Sequence, residues 1–332
     1  MIVLIDAPLS EDQASQIQRL SSNINLVRVS PFGQPLPKDV LKEAEVIYTT
    51  AANFDLADAP KLRWVQTNTA ATNPQEGSMV LRSTVPVANV VGAYTPAVAE
   101  CAIGMLLAVI RRITLGVQSQ LNHHWPEDYA PWVGDDLYGM TMGIVGYGSI
   151  GRHIARIADA MGMKIFACKR TPDSRRNDSY LLPGTGDPEG KIPIAWFGEK
   201  QVAEMFQQVD VAMIVLPHVP TTEKIIGMKE LAALPKRAYL VSIGRGAVID
   251  ESALIHSLQC GSIAGAALDV FVEEPLPPSS PLWDMANVLI MPHIGSWTKL
   301  QGHRAAELLI ENLKRDLKGE PLLNLISKKL LY

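Results

Sequence analysis

The stretch Thr-Met-Gly-Ile-Val-Gly-Tyr-Gly-Ser-Ile-Gly, residues 141–151, decides the fold of this chain. Its first five residues are typical of a short buried strand, and glycines follow at positions 146, 148 and 151. Apolar residues then recur at helical spacing, namely Ile150, Ile154, Ile157 and Ala158. A second apolar run, 163–168, follows the helix. A G-x-G-x-x-G turn inside such a βαβ unit indicates a dinucleotide-binding site.

Each glycine in this turn has a physical function. Gly146 permits a tight turn, Gly148 lets the backbone approach a pyrophosphate, and Gly151 lets the helix pack closely against the strand. An anion would bind at the helix N-terminus, beside Ser149 and Ile150, because free N–H groups and the helix dipole attract negative charge. The alternative is a glycine-rich turn that binds nothing, but the strands on both sides favour dinucleotide binding.

The length and composition indicate a globular protein with two domains. The chain has 332 residues, of which 47% are apolar and 19% are charged. Its net charge of −4 reflects no excess of basic residues, so nucleic acid is not an expected partner. The three cysteines, Cys101, Cys168 and Cys260, are scattered. They form neither a disulfide framework nor a metal site, and they fit a reducing cytoplasm.

No segment of the sequence predicts a signal peptide or a membrane span. Residues 1–6 lack a basic region and reach Asp6 after a short apolar run, so they are interpreted as a first strand. Residues 97–110 are the longest apolar run, but they contain Glu100 and are too few to cross a bilayer. The protein is therefore expected to be cytoplasmic, without a membrane partner.

Strand and helix patterns alternate on both sides of the glycine turn. Before it we predict strands at 1–6, 25–29, 46–50, 62–67 and 85–89 and helices at 11–20 and 38–44. After it we predict strands at 211–216, 238–243, 263–268 and 288–291 and helices at 202–207, 229–234 and 251–259. Two longer helices are predicted at 97–118 and 297–318. The alternation predicts parallel sheets covered by helices, and the first region, which lacks a phosphate-binding turn, is interpreted as a substrate domain.

Two long stretches have no clear periodicity. Residues 122–139 are polar and contain four large aromatic residues, Trp125, Tyr129, Trp132 and Tyr138. Exposed tryptophans usually have a partner surface, and the candidates are a second subunit and the mouth of the active site. Residues 171–198 are rich in proline and glycine, and the sequence assigns them no function.

Three chemically active residue types follow three predicted strands. Arg245 lies between two glycines after strand 238–243, Asp269 and Glu274 follow strand 263–268, and His293 follows strand 288–291. Ligands bind beyond the carboxyl ends of strands in open parallel sheets, so these side chains are expected to meet beside the glycine turn. Taken singly, the arginine could be a strand cap, the glutamate a turn residue and the histidine a polar loop residue, and their joint position favours catalysis.

The sequence resembles the D-isomer-specific 2-hydroxyacid dehydrogenases over most of its length. The resemblance rests on segments 98–100, 137–151, 241–250, 267–276 and 292–298, in the family's order. It implies an α/β fold with a doubly wound parallel-sheet (Rossmann) cofactor domain at 98–297. The rest, 1–97 and 298–332, would be a smaller, discontinuous, flavodoxin-like substrate domain.

The resemblance also implies catalytic residues. Arg245 would bind the carboxylate and keto oxygen of a 2-oxo acid through its planar fork. His293 would protonate the carbonyl oxygen and would act as the base in the reverse direction. Glu274 would hold the far nitrogen of the histidine ring and so fix its tautomer. Glu274 is preferred to Glu273 because the family's carboxylate directly precedes a proline.

Further residues are assigned by the same resemblance. Asp269 would bind the nicotinamide carboxamide, and Thr95 would lie beside the nicotinamide ring. Residues 216, 217 and 222 resemble the family's loop on the adenosine side of the cofactor, and purely structural functions are nearly as well supported for this loop. The remaining predicted cofactor contacts are Leu216, Pro217, Thr222, Ile243, Gly244, Arg245, His293 and Gly295. The predicted substrate contacts are Thr69, Ala70, Ala71, Arg245 and His293. The family usually has a glycine where this chain has Ala71, and that difference bears on the choice of substrate.

The end of strand 163–168 bears on the choice between NADP and NAD. An acidic residue here usually binds the ribose of NAD, but this chain has Lys169, Arg170 and Thr171. Basic side chains would pair with a 2′-phosphate, and Arg175 and Arg176 are close enough in sequence to contribute. NADP is therefore predicted in preference to NAD, the alternative being a solvated basic turn without a cofactor preference.

The sequence thus predicts an oxidoreductase that reduces a small 2-oxo acid to the D-2-hydroxy acid, reversibly, with a nicotinamide cofactor. A homodimer is expected, with helix 97–118 and loop 122–139 in the interface. One alternative is a non-catalytic dinucleotide-sensing protein that resembles the corepressors of this superfamily. A formate or phosphonate-type dehydrogenase is less favoured, because the formate branch has glutamine where this chain has Glu274.

Overall fold

The structure is a computed structural model, and it describes residues 1–29, 35–70, 78–177 and 179–328. The described residues form two compact units. The first unit takes them from Met1–Tyr94, Ser179–Leu182 and Trp297–Tyr332, and the second from Thr95–Asp178 and Pro183–Ser296.

Helices and short strands alternate along the described part of the chain. The strands are β1 (Ile2–Asp6), β2 (Asn25–Arg28), β3 (Val46–Thr49), β4 (Trp64–Thr67), β5 (Val87–Ala88), β6 (Thr141–Val145), β7 (Lys164–Cys168), β8 (Ala195–Phe197), β9 (Val211–Ile214), β10 (Tyr239–Ser242), β11 (Gly265–Leu268) and β12 (Val288–Ile290). The α-helices are α1 (Glu11–Leu20), α2 (Lys38–Leu41), α3 (Met79–Arg82), α4 (Thr95–Ile110), α5 (Ile113–Leu121), α6 (Ser149–Ala160), α7 (Val202–Phe206), α8 (Met228–Ala233), α9 (Glu251–Gln259) and α10 (Gln301–Lys318).

The first unit contains a parallel sheet with the strand order β2-β1-β3-β4-β5. Its central strands are buried on both faces, as their apolar runs predict, and Leu4, Ile47 and Val65 belong to one core cluster. Helix α1 begins at a capping box in which the Ser10 hydroxyl accepts from the Gln13 amide at 3.2 Å. The order is that of flavodoxin-like sheets, which agrees with the expected fold.

The second unit contains a parallel sheet with the order β12-β11-β10-β9-β6-β7-β8. The order reverses direction at β6, which pairs with β7 on one side and β9 on the other. In register, Val145 lies beside both Cys168 and Ile214, and Ser242 lies beside Leu268. The carboxyl ends of these strands therefore meet at one edge, where doubly wound sheets bind their ligands.

The predicted helix 97–118 is divided into α4 and α5. Arg112, between them, has a left-handed backbone with φ of 57°, which ends the α4 hydrogen-bond ladder. The Ile110 carbonyl accepts instead from the Asp135 amide, at 3.3 Å, so a contact distant in sequence replaces the next helical bond. Helix α4 is apolar and mostly buried, but no described helix is long and apolar enough to cross a membrane.

Two further sequence predictions differ from the structure. Residues 171–198 were expected to be irregular, but they contain β8, an edge strand of only three residues, too short for its periodicity to be recognised. The C-terminal helix was predicted from residue 297, but α10 begins at Gln301. Trp297 is 72% exposed and precedes the helix.

Candidate active site

A histidine and a glutamate form a short hydrogen bond at the carboxyl edge of the second unit's sheet. His293 Nδ1 lies 2.6 Å from Glu274 Oε2, and both side chains are partly exposed. The other carboxylate oxygen, Oε1, accepts from the Phe271 amide at 2.9 Å. We assign Nδ1 as the donor of this contact, because a carboxylate accepts hydrogen bonds. The ring is thereby oriented with Nε2 at its opposite end.

Arg245 completes this group from the end of β10. Its Nη1 donates to its neighbour's carbonyl, Gly244 O, at 2.7 Å. Burial lowers the pKa of the Arg245 guanidinium, and the nearby Glu274 carboxylate acts in the opposite direction. The structure thus brings together the three residues that the sequence predicted to meet, from the loops after three neighbouring strands.

The loop that carries His293 is fixed by a buried aspartate. Asp269 Oδ1 and Oδ2 accept from the amides of Ile294 and Gly295, each at 3.0 Å. Burial raises the pKa of Asp269, and the two amide hydrogen bonds oppose this shift. His293 itself has a left-handed backbone, with φ of 56°. A non-glycine residue in that region is strained, so the surrounding contacts determine the position of the imidazole.

Comparison with known proteins identifies the family of this chain. The sequence model described as "D-isomer specific 2-hydroxyacid dehydrogenase, NAD binding domain" matches residues 103–295, more than half of the chain. The chain belongs to this family. The dehydrogenase is accordingly an NAD(P)-dependent oxidoreductase acting on small 2-oxo and 2-hydroxy acids, as its sequence predicted. The corepressor-like alternative is not favoured.

Individual relatives align over most of the dehydrogenase. Glyoxylate reductase from Thermofilum pendens is 34% identical over 275 residues, which are 82% of this chain and 77% of that protein. Glyoxylate reductase from Aeropyrum pernix is 32% identical over 311 residues, 90% of this chain and 88% of that one. An NADPH-dependent glyoxylate/hydroxypyruvate reductase from Sinorhizobium meliloti, solved with NADP and malonate, has a TM-score of 0.74 and 26% identity and covers 99% of this chain and 97% of its own.

The glycine turn of the dehydrogenase fits a dinucleotide pyrophosphate. Gly146 has φ of 104°, and a Cβ there would lie 2.6 Å from the Val215 carbonyl oxygen, so the position requires glycine. A Cβ at Gly148 would meet open space, which leaves room over the N-terminus of α6. Ser149, Ile150 and Gly151 begin that helix. Thr95 Oγ1 is buried and lacks a hydrogen-bond partner within the part of the chain that the structure describes, consistent with a ligand group there.

The basic turn after β7 is partly used by the protein itself. Lys169 Nζ donates to the Ser174 carbonyl at 2.6 Å, and burial lowers the pKa of Lys169. Arg170 and Thr171 are exposed. The structure therefore assigns Lys169 a contact within the turn, and Arg170 is exposed to solvent.

The predicted adenosine-side loop is held by its own hydroxyl group. Thr222 Oγ1 donates to the Pro217 carbonyl at 2.7 Å and accepts from the Val219 amide at 2.9 Å. Leu216 lies beside this turn and is partly buried, whereas Ile243, at the end of β10, is buried. These contacts show a structural function, and contacts of the loop with the cofactor remain a prediction.

The predicted substrate loop belongs to the first unit. The Thr69 carbonyl accepts from Thr67 Oγ1 at 3.1 Å, and the Ala70 carbonyl accepts from Asn89 Nδ2 at 3.2 Å. The third predicted residue, Ala71, lies outside the described residues. Because a trans peptide directs its N–H opposite to its C=O, the Ala70 amide points away from the groups that bind the Thr69 carbonyl.

Sequence reasoning missed the residues that fix the end of β4 and Asn68, from which this loop continues. Asn68 Oδ1 accepts from the hydroxyls of Tyr48 and Tyr94, at 3.0 and 2.9 Å. Gln66 Oε1 accepts from Asn312 Nδ2 at 2.8 Å, and both side chains are buried. Polar residues at the end of an otherwise apolar strand were a usable signal for Gln66, but nothing in the sequence pairs it with Asn312.

Proposed function

We propose that Arg245, Glu274 and His293 carry out the reduction of a small 2-oxo acid to the D-2-hydroxy acid. The observation that carries this proposal is the 2.6 Å contact between His293 Nδ1 and Glu274 Oε2. It fixes the ring so that Nε2 is the atom that exchanges a proton with the substrate oxygen. The nicotinamide cofactor supplies the hydride when it is bound.

Arg245 would bind the carboxylate and the keto oxygen of the substrate. A guanidinium offers two parallel N–H donors that match a carboxylate, and its positive charge stabilises negative charge that develops on the carbonyl oxygen. Glu274 touches His293 and is close enough to influence the Arg245 pKa, so one carboxylate orients the acid and balances the cation. Asp269 and Thr95 are proposed to lie beside the nicotinamide.

Glyoxylate and hydroxypyruvate are the substrates we propose, because the relatives named above act on one or both. Thr69, Ala70 and Ala71 are proposed to contact the substrate carboxylate. The test is a spectrophotometric screen of glyoxylate, hydroxypyruvate, pyruvate, phenylpyruvate and branched 2-oxo acids with both cofactors. Turnover of none of these acids would contradict the proposed function.

The cofactor preference is proposed to favour NADP through Arg170. Arg170→Ala is expected to raise the KM for NADPH about tenfold, since one charge-assisted contact to the 2′-phosphate is lost, and to leave the KM for NADH unchanged. The measurement is kcat/KM with each cofactor at saturating glyoxylate. Lys200→Ala, which removes an exposed cation beyond β8, is the matched control. Equal or better efficiency with NADH in the unmodified enzyme would contradict the preference.

A homodimer is proposed through the predicted helix 97–118, which forms most of α4 and part of α5, and the aromatic loop 122–139. Trp125 is 81% exposed and Tyr138 is 83% exposed, and such apolar surface is usually covered by a partner. A cleft of about 560 Å³ lies here, lined by Trp125, Tyr129 and Trp132 among others. Light scattering at micromolar concentration is expected to give twice the monomer mass, and Trp125→Asp to shift the protein towards monomer. A monomeric unmodified protein would remove this proposal.

Two further properties complete the proposal. The substrate domain is taken as 1–97 with 298–332 and the cofactor domain as 98–297. A cytoplasmic location is proposed because the cysteines at 101, 168 and 260 are unpaired, as is usual in a reducing compartment.

A further inference from the structure

A buried arginine connects the glycine turn to the segment 171–198, which we call the excursion. Arg152, on the second turn of α6, is 1% exposed. Its Nη1 donates to the Asp187 carbonyl at 2.5 Å and its Nη2 to the Arg175 carbonyl at 2.6 Å. Burying a charged side chain is costly unless its N–H groups are hydrogen-bonded, so these two contacts stabilise the buried guanidinium. Because Arg175 and Asp187 lie in the first and second halves of the excursion, the same contacts hold both halves against α6.

Tyr147, the residue between the first two glycines of the turn, joins the same cluster. It is 2% exposed, and its hydroxyl donates to Asp187 Oδ2 at 2.9 Å. The Arg152 guanidinium lies 4.9 Å from the centre of the Tyr147 ring, a cation–π distance. The ring meets Trp196 edge to face, with centroids 5.1 Å apart. The cofactor turn and the excursion therefore share one set of buried contacts.

This cluster places Arg175 near the end of β7. The Arg175 guanidinium lies 5.6 Å from the Trp196 ring centre, and Trp196 is paired in register with Ala167 of β7. Strand β7 ends at Cys168, and Arg170 follows two residues later. Residues 169–177 contain four basic side chains and one acidic side chain, Asp173. The resulting positive charge is concentrated where a doubly wound fold binds the adenosine ribose.

We propose that Arg175 is a second determinant of NADP specificity and binds the 2′-phosphate together with Arg170. The inference rests on the proposed preference for NADP. Arginine suits this function because its planar fork binds phosphate with two parallel hydrogen bonds and stacks on an aromatic face. Arg152, Tyr147 and Asp187 are positioning residues, because they fix the backbone and the tryptophan that orient Arg175. The sequence offered Arg175 and Arg176 only as nearby contributors, and the cluster now makes the excursion a cofactor-specificity element through Arg175.

The direct test replaces Arg175 with alanine. Arg175→Ala is expected to raise the KM for NADPH about tenfold, equivalent to about 1.4 kcal/mol, and to leave the KM for NADH and kcat unchanged. Lys191→Ala is the matched control, since it removes another exposed cation of the excursion and keeps the backbone amide that donates to Asp187 Oδ1 at 2.9 Å. An unchanged KM for NADPH in Arg175→Ala, or the same rise in Lys191→Ala, would overturn the inference.

A second variant tests the positioning residues. Tyr147→Phe keeps the ring and removes the hydroxyl that donates to Asp187 Oδ2, so it is expected to raise the KM for NADPH about threefold with little change for NADH. Equal rises for both cofactors would show a structural function only. Calorimetric titration with 2′,5′-ADP and 5′-AMP separates the two proposals. If the unmodified enzyme does not prefer 2′,5′-ADP, the NADP preference fails; if it does, but Arg175→Ala retains that preference, only this inference fails.

Discussion

Replacing His293 with alanine is expected to lower kcat for 2-oxo acid reduction by about 10²–10⁴-fold, the usual contribution of a positioned acid–base group. The reason is geometric. Glu274 holds Nδ1 at 2.6 Å, so the imidazole is already oriented with Nε2 as its proton donor, and alanine leaves no other group in that position. Stopped-flow measurement of NADPH oxidation with glyoxylate would give the rate of the chemical step.

Binding of the cofactor is expected to survive this change, because His293 is only one of many predicted cofactor contacts and the glycine turn is unaffected. NADPH fluorescence titration and thermal unfolding should therefore match those of the unmodified enzyme. His256→Ala, which removes an exposed imidazole from α9 in the same unit, is the matched control and should retain full activity. If His293→Ala keeps most of its activity, the assignment of the acid is wrong.

Replacing Arg245 with lysine is expected to raise the KM for the 2-oxo acid about 100-fold, equivalent to about 2.7 kcal/mol. Lysine keeps the positive charge but loses the planar pair of donors, so one of two charge-assisted hydrogen bonds to the carboxylate disappears. The effect on kcat is expected to be smaller, because the remaining charge still stabilises the developing oxyanion. Steady-state kinetics with glyoxylate would measure both constants.

The control lies at the opposite end of the same strand. Arg237 precedes β10, is exposed and pairs with Asp210 at 2.8 Å, so Arg237→Lys should alter neither constant. An unchanged KM in Arg245→Lys would show that the guanidinium does not bind the substrate. A large fall in kcat alone would instead indicate that it acts only in the transition state.

Features with a strong local pattern were predictable from the sequence. The glycine turn between β6 and α6 was recognisable because its glycines have a fixed spacing, at positions 146, 148 and 151. Helices α1 and α9 have the bounds that their apolar periodicity predicted. The meeting of Arg245, Glu274 and His293 also followed, because parallel strands place their carboxyl ends at a common edge. Their catalytic functions were implied by the family resemblance and are still to be tested.

Features that depend on tertiary contacts were not predictable. The apolar pattern of 97–118 continues past Arg112, but α4 ends where Arg112 adopts a left-handed backbone and the Ile110 carbonyl accepts from the distant Asp135 amide. Arg152 is similar, because a charged residue on α6 is expected to face solvent unless its partners are known. Its partners come from a stretch without periodicity, so the contribution of the excursion to the glycine turn is visible only in three dimensions.

The contact between Asp269 and the loop of His293 has a consequence for how this enzyme can be altered. A methyl group at Gly295 would lie 2.8 Å from Asp269 Oδ2 and 3.0 Å from Ile243 Cδ1. A substitution at any one of these three residues would therefore require compensating substitutions at the other two. Random mutagenesis of any one of them should yield mostly inactive clones, and grafting 292–295 into another scaffold would require the matching aspartate. Substitutions at Val272 and Trp297, whose side chains are exposed and lie outside this set, are expected to be tolerated better.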